Sequence, residues 1–105
     1  MLNITVQNLH EKLKYGEIKS EFLIDVRTKE EHFFEKIANS KNIPLNQIQE
    51  KIEELKKLEK IYIYCATGNR SQIACHLLNS AGIENCYNVE GGIKEWKWNN
   101  FEIEK

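Results

Sequence analysis

A chain of 105 residues with a formal net charge of -1 is suited to a single domain over residues 1–105, built on one core. So even a balance argues against a general nucleic-acid binder or a polybasic membrane-surface protein, and no apolar run approaches a membrane span. The three cysteines are odd in number and none forms a Cys-x-x-Cys pair, so neither a disulfide framework nor a zinc site is indicated.

No basic-then-apolar leader opens the chain, and the expectation is a cytoplasmic protein in a reducing compartment. In chain order, Leu2 to Thr5 suggests a short strand, with Thr5 capping a helix that carries Leu9 and Leu13 and stops near Gly16. Phe22 to Val26 is expected to be a buried strand, followed by a charged helical turn from Lys29 to Phe34. Ile43-Pro44-Leu45 is expected to be extended. Asn46 then caps a predicted helix with Ile48, Ile52, Leu55 and Leu58 inward and a solvated Glu/Lys face outward.

Ile61 to Tyr64 is a second apolar run, expected to be a buried strand that ends on Cys65. Beyond Gly68 the spacing predicts a helix with Ser71 as N-cap and Ile73, Ala74, Leu77, Leu78 and Ala81 on its inner face. Cys86 to Val89 is a short strand, followed by Gly91-Gly92 and a short helix bearing Trp96. Trp98 and Phe101 either pack that helix onto the core or form an exposed apolar patch. Strand and helix in alternation imply an α/β fold, a mostly parallel central sheet with helices on both faces. Ligands in such sheets bind beyond the carboxyl ends of the strands.

Cys65 occupies that position, in front of a helix N-terminus whose free amides and dipole favour negative charge. Thiols so placed ionise at roughly 3.5–7.5 rather than about 8.5. Gly68 permits a tight loop whose amides converge on one atom, and Arg70 adds positive charge. Arg70 either recruits an anionic donor or points to solvent. Cys75 and Cys86 are expected to be packing residues, with a resolving thiol for Cys65 as the alternative. His10, His32 and His76 have no partner at motif spacing and are expected to be exposed or half-buried.

Asp25-Val26-Arg27, Glu31, Ile37 and Asn42-Ile43-Pro44, in that order and spacing, resemble the first motif of the rhodanese-like sulfurtransferases. Cys65-Ala66-Thr67-Gly68-Asn69-Arg70-Ser71 resembles the active loop of single-domain members. Leu78, Gly82, Ile83, Val89, Glu90-Gly91-Gly92 and Trp96 continue the pattern to the end. One departure stands out: the family's Gly-His-Ile-x-Gly-Ala is here Glu35 to Ser40, so that connection is expected to follow its own path.

The resemblance implies a rhodanese-like fold and sulfur transfer through Cys65, with no metal and no cofactor. The amides of Ala66, Thr67, Gly68, Asn69, Arg70 and Ser71 would bind the anionic persulfide. Asp25 and Arg27 would hold the fold near the loop, and Gly91 and Gly92 would shape the turn after the last strand. The partners implied are a small anionic sulfur donor, such as thiosulfate or a persulfide, and a thiol, cyanide or protein acceptor. Two alternatives stand beside this: a docking or sulfur-carrier module acting with a protein, and a cysteine phosphatase or arsenate reductase. Those last enzymes use Cys-x5-Arg, whereas four residues separate Cys65 from Arg70 here.

Overall fold

The computed structural model describes residues 1–19 and 22–105. Five strands, β1 (Leu2–Ile4), β2 (Leu23–Asp25), β3 (Lys41–Asn42), β4 (Ile61–Tyr64) and β5 (Cys86–Val89), form one sheet. Their order is β1-β5-β4-β2-β3, and every pairing is parallel. The helices are α1 (Val6–Lys14), α2 (Lys29–Phe34), α3 (Ile52–Leu55), α4 (Asn69–Ser80) and α5 (Gly92–Trp98), with a 3-10 helix at Leu45–Lys51. The expected α/β architecture is therefore present. No helix among the described residues is long and apolar enough to cross a membrane.

Side-chain alternation along β4 divides the core in two. Ile61 and Ile63 face one side with Ala74, Cys75 and Leu78 of α4 and with Ile48 and Leu55. Tyr62 and Tyr64 face the other, with Val6 and Leu9 of α1 and with Ile93 and Trp96 of α5. A central strand buried on both sides has no polar face, which is why Ile61 to Tyr64 is apolar throughout. Full burial of a side chain such as Leu78 contributes roughly 1.5–3 kcal/mol.

Thr5 caps α1 as expected, its hydroxyl accepting from the Asn8 amide, and Gly16 leaves the helix at φ 72°. Three expected boundaries shift. Phe22 and Val26 flank β2 rather than joining it. Leu45 and Asn46 lie inside the 3-10 helix, whose N-cap is Pro44. Ser71 does not cap α4, because Gly68 at φ 106° lets the chain enter the helix earlier. That shift rotates the inner face onto Ser71, Ala74, Cys75 and Leu78 and leaves Ile73 50% exposed.

Candidate active site

β4 ends where β2 does, with Asp25 in register with Tyr64. Cys65, Ala66, Thr67 and Gly68 then turn into α4. Two carbonyls of this turn are anchored from below: Ile93 donates to the Cys65 carbonyl at 2.9 Å and Lys94 to that of Ala66 at 3.0 Å. The start of α5 thus serves the loop directly, and Gly92 (φ 58°) brings the two backbones together.

The inner side of the turn faces sulfur. The Gly68 amide donates to Cys65 Sγ at 3.1 Å, and the Ser71 hydroxyl lies 3.5 Å from it. Cys65 is only 1% exposed, and this burial is the largest single influence on its thiol, opposing ionisation. Hydrogen bonds from the Ser71 side chain and from the amides of Ser71, Gly68 and Thr67 together outweigh it and hold the thiol below its ordinary value. Ser71 is itself buried, donating to Gly68 O and Asn88 Oδ1.

Beside the loop runs a groove of about 320 Å3, bordered by Ala66, Thr67, Arg27, Glu31, Phe34, Ile93 and Lys94. Its back wall is a buried ion pair. Asp25 accepts from the Arg27 amide at 2.9 Å and from its guanidinium at 2.8 Å. Arg27 also donates to Glu35 O at 2.6 Å, and the Asn42 side chain holds the carbonyls of Asp25 and Arg27. Asp25 and Arg27 thus tie the end of β2 to the connections on either side, the structural part expected of them. His32 is half-buried and, unlike the sequence reading, has a partner: its Nδ1 lies 2.8 Å from Asp25 Oδ2.

Arg70 resolves differently from both expected alternatives. Its two terminal nitrogens fork the Glu31 carboxylate at 2.7 and 3.0 Å. That hydrogen bond, against a smaller opposing effect of burial, lowers Glu31 to about 2. Glu31 also completes the capping box of α2, accepting from the Thr28 amide.

A model of the rhodanese-like domain matches residues 5–99. The chain belongs to the rhodanese-like domain family. It is similar to the adenylyltransferase and sulfurtransferase uba4 of Ogataea parapolymorpha, 40% identical over 79 residues, which are 74% of this chain and 20% of that protein. The chain therefore spans about a fifth of that relative. A sulfurtransferase of Allochromatium vinosum is 34% identical over 74 residues, 70% of this chain and 69% of the relative. The crystal structure of a rhodanese-related protein from Thermoplasma volcanium superimposes with a TM-score of 0.85 at 35% identity, covering 99% of this chain and 98% of that one.

The rhodanese-like fold accommodates this chain's departure by local chemistry. Asn39 stands where the family pattern has glycine and takes φ 66°, a conformation asparagine tolerates better than most residues. Ser40 replaces alanine, and its hydroxyl meets the Tyr64 hydroxyl at 2.8 Å. That hydroxyl also takes the Ile37 amide at 3.1 Å.

Of the expected site residues, Cys65, Thr67, Gly68 and Ser71 converge on sulfur. Ala66 is held through its carbonyl, Asn69 opens α4, and Arg70 turns to Glu31. Cys75 and Cys86 lie wholly buried in the core, and burial pushes them up to about 12 and about 11. Sequence reasoning missed Asn88 and the pairing of Glu31. The Thr28-x-x-Glu31 capping box was visible in the sequence; a partner 39 positions away was not. Trp98 is 82% exposed, whereas Phe101 stacks on His10 at 3.9 Å.

Proposed function

We propose that the protein transfers sulfane sulfur through a persulfide on Cys65. The Cys65 thiolate attacks the outer sulfur of thiosulfate or of a persulfide R–S–S–H. The donor S–S bond breaks, and its electron pair leaves with sulfite or with the thiol RSH. An acceptor thiolate, cyanide in an assay, or a protein thiol then attacks the outer sulfur, and the pair returns to Cys65 Sγ. Negative charge stays on sulfur in both steps, so fixed N–H donors are the useful catalyst.

The Gly68 amide 3.1 Å from Sγ is the observation that carries this reading. The persulfide would be held by the amides of residues 66–71, with those of Thr67, Gly68 and Ser71 nearest. The names of the relatives, sulfurtransferases among them, point the same way. A free thiol suits a reducing compartment such as the cytoplasm. Phosphatase or arsenate reductase chemistry fits less well, since the Arg70 fork that would bind a tetrahedral oxyanion is given to Glu31.

Intact mass after exposure to thiosulfate or glutathione persulfide tests the proposal. The expected result is the gain of one sulfur, removed by cyanide and absent in Cys65→Ser. No adduct with either donor overturns it in favour of a docking module, and turnover of an aryl phosphate without sulfur loading favours the phosphatase.

A further inference from the structure

We propose that Glu31 sets donor choice: by holding the Arg70 fork, it biases the site against dianionic thiosulfate and towards persulfides carried on an organic or protein thiol. The inference rests on the sulfur transfer proposed above and narrows its donor class.

Arg70 lies five positions after Cys65, close enough for its charge to interact with the thiolate. It is the one cation within the Cys65–Ser71 loop. Both of its terminal nitrogens are spent on Glu31. Glu31 is held in turn, because Oε1 takes the Thr28 amide at 3.0 Å while its own amide donates to Thr28 Oγ1 at 3.1 Å. Swinging the carboxylate away would uncap α2.

Two of the cations that border the groove are committed as well. Arg27 is given to Asp25 and Glu35 O, and Lys97 to Glu35 Oε1 at 2.5 Å. Among the described residues, Lys94 is the one cation bordering the groove without an ion-pair partner. Phe34, 74% exposed, and Ile93 and Ala66 supply apolar wall.

Thiosulfate brings two charges to be stripped of water against one ammonium. A persulfide on an uncharged thiol brings one charge at most, and Phe34, Ile93 and Ala66 offer its organic body apolar wall. In the persulfide reaction Cys65 Sγ bonds to the terminal sulfur and the donor S–S bond breaks. The pair leaves on the inner sulfur as RS⁻, which takes the proton that the transferred sulfur releases to become RSH, and the Cys65 persulfide anion remains.

The test measures the initial rates of Cys65 sulfur loading by thiosulfate and by the persulfide of 2-mercaptoethanol, whose body is uncharged, quenched and read by mass. Glu31→Gln retains a capping-box acceptor and removes the charge. The ratio of thiosulfate to persulfide rates is expected to rise roughly two- to fivefold, the scale of one partly exposed ion pair. In an Arg70→Ala background the same substitution is expected to leave the ratio unmoved. Glu31→Ala, checked by its melting curve, must raise the ratio too. A ratio unchanged by Glu31→Gln, or a rise that persists without Arg70, overturns the inference while leaving sulfur transfer intact. Failure of both donors to load Cys65 in the unmodified protein overturns sulfur transfer itself.

Discussion

Gly92 lies so close beneath Cys65 that a Cβ there would stand 2.3 Å from the Cys65 carbonyl oxygen. The same approach allows the Ile93 and Lys94 amides to take the carbonyls of Cys65 and Ala66. A trans peptide points its N–H opposite to its C=O. Fixing those two carbonyls towards α5 therefore turns the following amides to the other side of the loop, where Sγ lies. The loop's polarity is imposed from the far end of β5.

Gly92→Ala is accordingly expected to damage both fold and site. The added methyl meets backbone that cannot step aside, and φ 58° is strained for any residue with a Cβ. Overpacking of this kind costs about 1–3 kcal/mol. A thermal melt should show that loss, and the midpoint of thiol reactivity should move upward as the amides lose their aim. An alanine variant with unchanged melting and unchanged reactivity would show that α5 does not set the loop.

The three cysteines should separate by pH. Burial raises Cys75 to about 12 and Cys86 to about 11, while the hydrogen bonds at Cys65 outweigh its burial and lower it. As pH rises, Cys65 is the first of the three thiols to become thiolate, with its midpoint below the ordinary value. A small neutral alkylator should label Cys65 alone in the folded protein, and peptide mapping reads the site. Equal labelling of Cys75 would contradict this electrostatic ordering.

Ser71→Ala removes the hydroxyl 3.5 Å from Sγ, one of the groups that hold the Cys65 thiol below its ordinary value. The amides of Gly68 and Thr67 remain. Sulfur loading at neutral pH should therefore fall on the order of tenfold, less than the loss seen on deleting an oxyanion-hole donor, and its pH midpoint should rise. Loading rates across pH would expose the contrary case, a uniform loss with no change of midpoint.

How far the residues announced this arrangement varied with the range of the interaction. The apolar run Ile61 to Tyr64 marked a strand buried on both faces, and Cys65 at its end marked the site. Thr5 identified its helix because capping is local, a hydroxyl three residues from its amide. Ser71 has the same chemistry but was misplaced, since the left-handed turn at Gly68 starts α4 first and makes Ser71 an inward-facing partner of Asn88. Glu31 was legible as part of the first motif and Arg70 as a loop charge that recruits a donor or points to solvent, but nothing joined the two. Their pairing depends on the sheet bringing the ends of β2 and β4 together, which no local pattern encodes. The partners of Gly92 were hidden for the same reason.

Acid should break the Glu31–Arg70 pair in a predictable order. The Arg70 hydrogen bond is the main cause that carries Glu31 from an ordinary 4.5 to about 2. A carboxylate depressed in the folded state adds stability that is fully present above its unfolded value and is lost as pH falls through the folded one. The window is thus from about 4.5 down to about 2. The pair is about one-third exposed on each side, so solvent screening limits its contribution to under about 1 kcal/mol. Carboxyl carbon NMR should find Glu31 titrating near the bottom of that window, and Arg70→Ala should return it towards the usual carboxylate range. A Glu31 that titrates normally with Arg70 in place would mean that the fork is not held in solution.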